Sequence, residues 1–525
     1  MHRALPFGLI LAILSCPHLS ARRAPEQADI DDRAEVRRLL KEASELATQT
    51  ETARDRALVF VRIGETSWKA GDKTIAAESF DRALKIVETL PRENFYDDPR
   101  ETFRASIASL RARGGDIDGA RQTLALIKSD SDKSSVISEI ALAHARAKNF
   151  AEAAQTASAI QDSDWKDQTL EWIANQQAAA GDIQGATRLA HEIKNAQYRA
   201  QALTYIASLE AEGGQAEKAR AVVQDALGAA EQTEPTEGVA GRSSLAACFS
   251  QEPEHPRDAA LERVAVAQAQ AGDTTAAMET LNRMHDKSGR ENSLATIAGY
   301  QARSGDFAGA RASIAAIGKD SCKTAALHGI VEAQFEAGNL SAALLTVDEM
   351  GDPYEKALTL TYLGEEVANQ GALTSAMGIL GHARVVANQI IDGQYHADIL
   401  EGIARIEVKA GNRVEAAKTL AAAVPLVMAA LEQDKREHRW SSALPDLIEQ
   451  QAELGDLDGA WDNLGKTSDN DRTNIVGKAA SAQSKAGDMQ GALAWAARQI
   501  SPRDKALALV GIAEGILERV ESQKK

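Results

Sequence analysis

The chain has 525 residues, with 59 Lys and Arg against 76 Asp and Glu, a net charge of −17. Apolar residues make up 44% and aromatic ones only 4%, so the core must be aliphatic, while a charged fraction of 26% is ordinary for a folded surface. Collagen-like, mucin-like and fully disordered chains are thereby excluded. The acidic balance argues against a nucleic-acid binder, which displaces counterions with basic surface, and against docking on anionic lipid by charge alone.

At the amino terminus, Arg3 precedes an eleven-residue apolar run from Ala4 to Leu14. That run is too short for a membrane-spanning helix, which needs about 20 residues, but fits the core of a secretory signal over residues 1–21. Within it, Ile13-Leu14-Ser15-Cys16 resembles a bacterial lipobox, making Cys16 a candidate lipidation site through which a lipid anchor would hold the protein at a membrane. An uncleaved anchor is a third reading. The expected destination is outside the cytoplasm: the periplasm, the cell envelope or the medium. Cleavage after Ala21 leaves Cys248 and Cys322, expected as two free, partly buried thiols, with a disulfide as the alternative that export permits.

From residue 55 onward the chain is periodic. AGD or a close variant recurs with its glycine place at Gly71, Gly115, Lys148, Gly181, Gly214, Gly272, Gly305, Gly338, Gly371, Gly411, Gly455 and Gly487; six of the eleven spacings are 33. Five residues after each marker stands an Ala in all twelve copies, from Ala76 to Ala492. Eight before it stands an aliphatic residue such as Ile63, Ile107, Ile140 or Val264. Seven before it the residue is Gly or Ala in ten copies, with Val331 and Ile448 as exceptions. Eleven before it the residue is bulky and apolar in every copy except at Arg104.

Offsets of −11, −8 and −7 share one helical face, and +5 with +9 form a second apolar stripe. Each unit therefore reads as helix, turn, helix. The glycine supplies the positive φ that ends the first helix, and the Asp or Asn after it caps the second. Small residues at −7 and +5 let the two backbones approach, so a Leu there is expected to cost a few kcal/mol by overpacking.

This pattern resembles the tetratricopeptide repeat (TPR). The first copy, with Phe60, Ile63, Gly64, Gly71, Asp72, Ala76, Phe80 and Ala83, carries the likeness best. The period of 33 rather than 34, the missing unit-end proline and the loss of a late first-helix aromatic are departures that leave superhelical pitch open. Ankyrin shares the period but not its TPLH signature, and HEAT-like packing is the runner-up. The expected fold is all-α: a right-handed α-solenoid of about twelve helix-turn-helix repeats with terminal capping helices. Residues 22–54 are read as a leader and capping helix, 55–227 and 259–502 as repeats, 228–258 as an insertion loop, and 503–525 as the other cap. Two polar caps imply an open rod.

GxGxxG, P-loop, GxSxG, HExxH and paired CxxC patterns are absent from the sequence, so no cofactor or metal is expected. Asp116-Ile117-Asp118-Gly119 and Asp456-Leu457-Asp458-Gly459 mimic the start of a calcium loop. Ile127 and Thr467 stand where it needs a bidentate Glu, which leaves helix capping.

The resemblance implies a non-enzymatic scaffold that holds a peptide or protein segment on its concave face, lined by first-helix residues. Positions six and ten before the marker supply Glu65, Asn175, Glu332, Glu365 and Glu449, with Glu171, Glu262 and Glu401. This set lacks the Lys and Asn residues that grip a carboxylate terminus, and its acidic tilt suggests a basic or mixed partner. The alternative is an exported hydrolase or carbohydrate-acting enzyme on an α/α toroid, which needs ends that meet.

Overall fold

The computed structural model describes residues 25–91, 98–233, 256–437, 443–467 and 469–524. The signal segment with Cys16, the body of the 228–258 insertion with Cys248, and parts of the segments around 92 and 440 lie outside the described residues. The described residues form 26 helices and no strand. No helix among them is long and apolar enough to cross a membrane.

The first helices of the units are α2 (Ala53–Lys69), α4 (Pro99–Arg113), α6 (Asp130–Arg146), α8 (Ser163–Ala179), α10 (Ala196–Glu212), α12 (Pro256–Gln270), α14 (Lys287–Arg303), α16 (Asp320–Glu336), α18 (Pro353–Asn369), α20 (Gly393–Lys409), α22 (Ala443–Leu454), α24 (Asp469–Lys485) and α26 (Pro502–Lys524). The second helices are α3 (Lys73–Val87), α5 (Ile117–Leu124), α7 (Phe150–Ala157), α9 (Ile183–Glu192), α11 (Ala216–Gln232), α13 (Thr274–Leu281), α15 (Phe307–Ala315), α17 (Leu340–Asp348), α19 (Leu373–Ala387), α21 (Arg413–Glu437), α23 (Leu457–Leu464) and α25 (Met489–Arg498). They are joined by α1 (Pro25–Thr48).

All twelve markers have positive φ, from 63° at Lys148 to 92° at Gly181. The turn is built by backbone bonds that satisfy the last carbonyls of the first helix: Gly71 N–H donates to Trp68 O at 2.9 Å and Asp72 N–H to Ser67 O at 2.8 Å. Asp72 then accepts from the Ile75 N–H as the cap of α3. Asp116 and Asp456 do the same for Gly119 and Gly459, each at 3.0 Å, so the calcium-loop look-alikes are helix caps. A Cβ at Gly119 would lie 2.2 Å from the capping carboxylate, which is why glycine follows in that register.

Every Ala at +5 is fully buried, as is the −8 residue of nearly every unit. The −7 glycines accommodate the +9 side chain: a Cβ on Gly64 would meet the Phe80 ring at 2.7 Å, and one on Gly364 would meet Leu380 at 2.6 Å. Arg104, the odd residue at −11, is buried between Glu88 and Glu101, both at 2.6 Å. A buried or half-buried carboxylate fourteen residues before the marker ties some units to the next. Glu101 accepts from Lys128 N–H, Asp167 from Asn195 N–H and Asp258 from Asp286 N–H, each at 2.6 Å. Cys322 is fully buried and disulfide-bonded, with its partner outside the described residues, which replaces the free thiol expected there.

The chain does not end as an open rod. Helix α26 packs on both α1 and α2. One core cluster joins Val36, Leu39 and Leu40 of α1 to Ile63 of α2 and to Ile512, Ala513 and Ile516 of α26. Ion pairs stitch the same seam: Arg519–Asp32 at 3.2 Å, Arg62–Glu514 at 3.1 Å and Arg503–Asp55 at 3.5 Å. The two terminal helices therefore complete one further unit, in which α26 is the first helix and α1, from the other end of the chain, is the second. Thirteen units close into a ring.

Candidate functional site

Most successive first helices pack directly on one another, and α26 returns to α2, so they form a continuous inner wall. Successive second helices share no comparable packing and meet through long side chains such as Arg498, which reaches Asp458 at 2.8 Å. The second helices are thus the outer layer. Thirteen helices spaced 8–10 Å apart make a wall of about 120 Å, and a round wall of that length encloses a bore of about 25 Å once helix thickness is removed.

Each first helix is covered on three sides and shows one stripe to the bore, at offsets −13, −9, −6 and −2. In α2 these are Leu58, Arg62, Glu65 and Lys69, all at least partly exposed between buried neighbours. The stripe also carries large apolar and aromatic side chains: Trp172, Tyr205, Tyr362 and Leu358, with Tyr205 at 39% and Leu358 at 42% exposure.

The five residues picked from sequence all fall on this stripe, but they do not form one acidic face, because cations engage the carboxylates. Glu65 lies between Arg62 and Lys69, each at 3.1 Å. Asn175 donates to Glu171 at 2.5 Å. Glu332 faces His328 at 3.2 Å and Arg303 of α14 at 3.6 Å; the His328 contact is the main cause of its carboxyl being held below the usual range. Glu365 pairs with Lys409 of α20, and Glu449 with Lys478 of α24 at 3.9 Å. Pairs of this kind recur around the bore, as at Arg113–Glu139 and Lys485–Glu518.

One stretch differs. On α20 and α22, Asp398, Glu401 and Asp446 lie together. Glu401 is 5% exposed and its Oε1 has no hydrogen-bond partner. Burial, then the charges of Asp398 and Asp446, raise its carboxyl to about 8, with Arg405 opposing. Asp398 is exposed on the wall, and partial desolvation there, then the charges of Asp446 and Asp392, raise it to about 6. Glu355 on α18 and Glu449 on α22 are also raised, mainly by burial. Tyr354 and Tyr395 pack at 4.7 Å between ring centres beside Asp398, and Tyr354 is pushed up to about 12 by burial first and Asp398 second. Sequence offsets marked Glu401 and Glu449 but not their neighbours. The missing signal was an Asp at −13 in one unit beside an Asp at −9 in the next.

Among the described residues, no group of three His, Cys, Asp or Glu side chains is placed to hold a metal ion. A cavity of about 370 Å³ lies outside the bore between α19, α20 and α21, lined by Arg384, His396, Leu400, Thr419 and Pro425 among others. Arg384 there is committed to the fully buried Glu407 at 2.6 Å.

No protein family matches the chain, and no curated protein does. Solved structures do. The crystal structure of a Rap protein complexed with Competence and Sporulation Factor is 13% identical, covering 78% of this chain and 100% of that one, with a TM-score of 0.25. The APC/C hetero-tetramer Cut9-Hcn1 is 11% identical over 92% of this chain and 98% of that one, at a TM-score of 0.24. A circular tandem repeat protein with novel repeat topology is 14% identical over 94% and 99%, at 0.15. With scores this low, these likenesses add nothing to the ring geometry, which rests on the chain's own packing. By its repeated hairpins, this chain is an all-α helical repeat protein.

Proposed function

We propose that the protein is a non-enzymatic scaffold, exported from the cytoplasm, that holds a segment of a partner protein against the inner wall of its ring. The observation that carries this reading is the stripe of partly exposed side chains on the first helices. It sets Trp172, Tyr205, Leu358 and Tyr362 among paired charges, the mixture of apolar anchors and polar rim that protein interfaces use. A bore of about 25 Å admits a helix or an extended strand, each about 10 Å across with side chains.

The enzyme alternative gains from the closed ring and from carboxyls raised to different degrees, a pattern that active sites share. It lacks a paired arrangement across the bore, since these carboxylates all sit on neighbouring helices of one arc.

The test is affinity purification of the carboxyl-terminally tagged protein from its host after fractionation and cross-linking, with Tyr205→Ala/Trp172→Ala as the comparison. A partner recovered with the wild type and lost with the double variant supports the scaffold. A protein recovered clean, in a form that hydrolyses a glycan or peptide substrate, refutes it. Recovery in the cytoplasmic fraction refutes export.

A further inference from the structure

Around the bore, carboxylates on one first helix are met by cations on the same helix or the next. The arc from α18 to α22 departs from that rule. Among the described residues, neither Asp398 nor Asp446 has an ion-pair or hydrogen-bond partner, and the buried Glu401 leaves Oε1 unsatisfied beside both. An unmatched buried acceptor is costly, by about 1–3 kcal/mol for a neutral group and more for an ionised one. Natural proteins keep few of them without a use.

The surroundings of Glu401 say what would satisfy it. On its own helix it faces Asp398 and Arg405; from α22 it faces Asp446, with Glu449 already taken by Lys478. From α18, Glu365 is already paired with Lys409 of the same helix as Glu401, and Glu355 faces Asp352 and His328 instead. Charged groups of α19 and α21, namely Arg384, Glu415 and Lys418, gather with Glu407 around the separate outer cavity. The local sum is negative, and the Tyr354–Tyr395 pair provides an aromatic edge of the kind on which cationic groups stack.

We infer that Asp398, Glu401 and Asp446, with Tyr354 and Tyr395 at their edge, form a subsite in the inner wall for a lysine or arginine side chain of the bound segment. The inference rests on the scaffold reading for the origin of that side chain, but the subsite can be tested without the native partner. An incoming cation supplies the charge whose absence keeps Glu401 protonated, so binding near pH 7 expels the Glu401 proton to solvent as the carboxylate forms. Affinity therefore rises with pH, first as Asp398 ionises and then as Glu401 does.

The probe is a fluorescent tetralysine peptide in 0.15 M salt, with the tetra-acetyllysine peptide as control. Calorimetry in two buffers of different ionisation enthalpy counts the protons released. We expect release of close to one proton at pH 7, an affinity gain of tenfold or more between pH 5 and pH 8.5, and no binding of the acetylated control. Asp398→Asn/Asp446→Asn, both solvent-exposed, should lose at least tenfold in affinity, and Glu217→Gln, exposed on the outer helix α11, less than twofold. The proton count uses the unaltered protein and so does not depend on how the variants fold. Binding without proton release, or equal binding by the double variant, overturns the subsite. If the probe binds as described while no native partner is recovered, the subsite stands and the scaffold reading falls. If a native partner is recovered equally by the double variant while the probe does not bind, the reverse holds.

Discussion

Closure of the ring makes a quantitative prediction for Leu39→Ala. Leu39 is fully buried in the seam, where Val36, Leu39 and Leu40 of α1 cover Ile512 and Ile516 of α26. At about 2 kcal/mol for each large aliphatic side chain removed from water, these three contribute roughly 6 kcal/mol to holding α1 in place, as an upper value. Truncation at Leu39 takes away about 2–5 kcal/mol, because the cavity cannot collapse fully against the ring on either side. With about 3.5 kcal/mol as the middle of that range, the open form becomes more populated by a factor of about 300. Amide hydrogen exchange reads this directly. Protection should fall by that factor in α1 and α26 and stay within about twofold in α12 through α15, on the other side of the ring. Undiminished protection in α26, or an even loss around the whole circuit, would show that α1 is not the helix that closes the thirteenth unit.

Three further outcomes follow from single residues. Gly511→Ala places a Cβ 2.0 Å from the Gly477 carbonyl oxygen, a backbone atom that cannot swing away, so α24 and α26 must separate; an unfolding free energy lower by about 1–3 kcal/mol, read from chemical denaturation, is expected. Glu401→Gln should flatten the pH dependence of stability. A carboxyl raised from 4.5 to about 8 favours the folded state fully below pH 4.5, and that contribution is lost as pH climbs through 8, so the variant should gain up to about 4 kcal/mol over wild type at pH 8.5 and little at pH 4.5 in urea titrations. Lys148→Gly removes a side chain from the only described non-glycine residue with positive φ, at 63°, and should raise the melting temperature in line with about 1 kcal/mol.

The units were legible because each is specified by short-range chemistry. A positive-φ residue, a cap and a small residue at a helix crossing leave the same marks in sequence wherever they recur, and all twelve turned up where the spacing put them. The thirteenth was missed, although its trace is present. The buried residues Val36, Leu39, Leu40, Ala43 and Ala47 have the spacing of Ala76, Ser79, Phe80, Ala83 and Val87 in α3. The charged residues between them made α1 look like a solvated cap. Which helix covers which end depends on the sum of thirteen small rotations, and no local motif encodes that sum. At the inner wall, the −6 positions were found but their partners were not. Arg303 reaches Glu332 and Lys409 reaches Glu365 from other helices, so a face that reads as acidic one unit at a time is nearly neutral once neighbours are adjacent. The buried carboxylates fourteen residues before the marker were missed for the same reason, since their partners are backbone N–H groups of the following turn.

Among the described residues, the ring closes inside a helical hairpin, between the end of α26 and the start of α1. A linear array frays because its outermost repeat has a single neighbour. Here every repeat has two, so melting any one of them must break two interfaces at once, as on a one-dimensional lattice with periodic boundaries. A circular permutant in which a short Gly-Asp turn joins α26 to α1, and new termini open at any of the twelve existing turns, keeps every interface of the native ring.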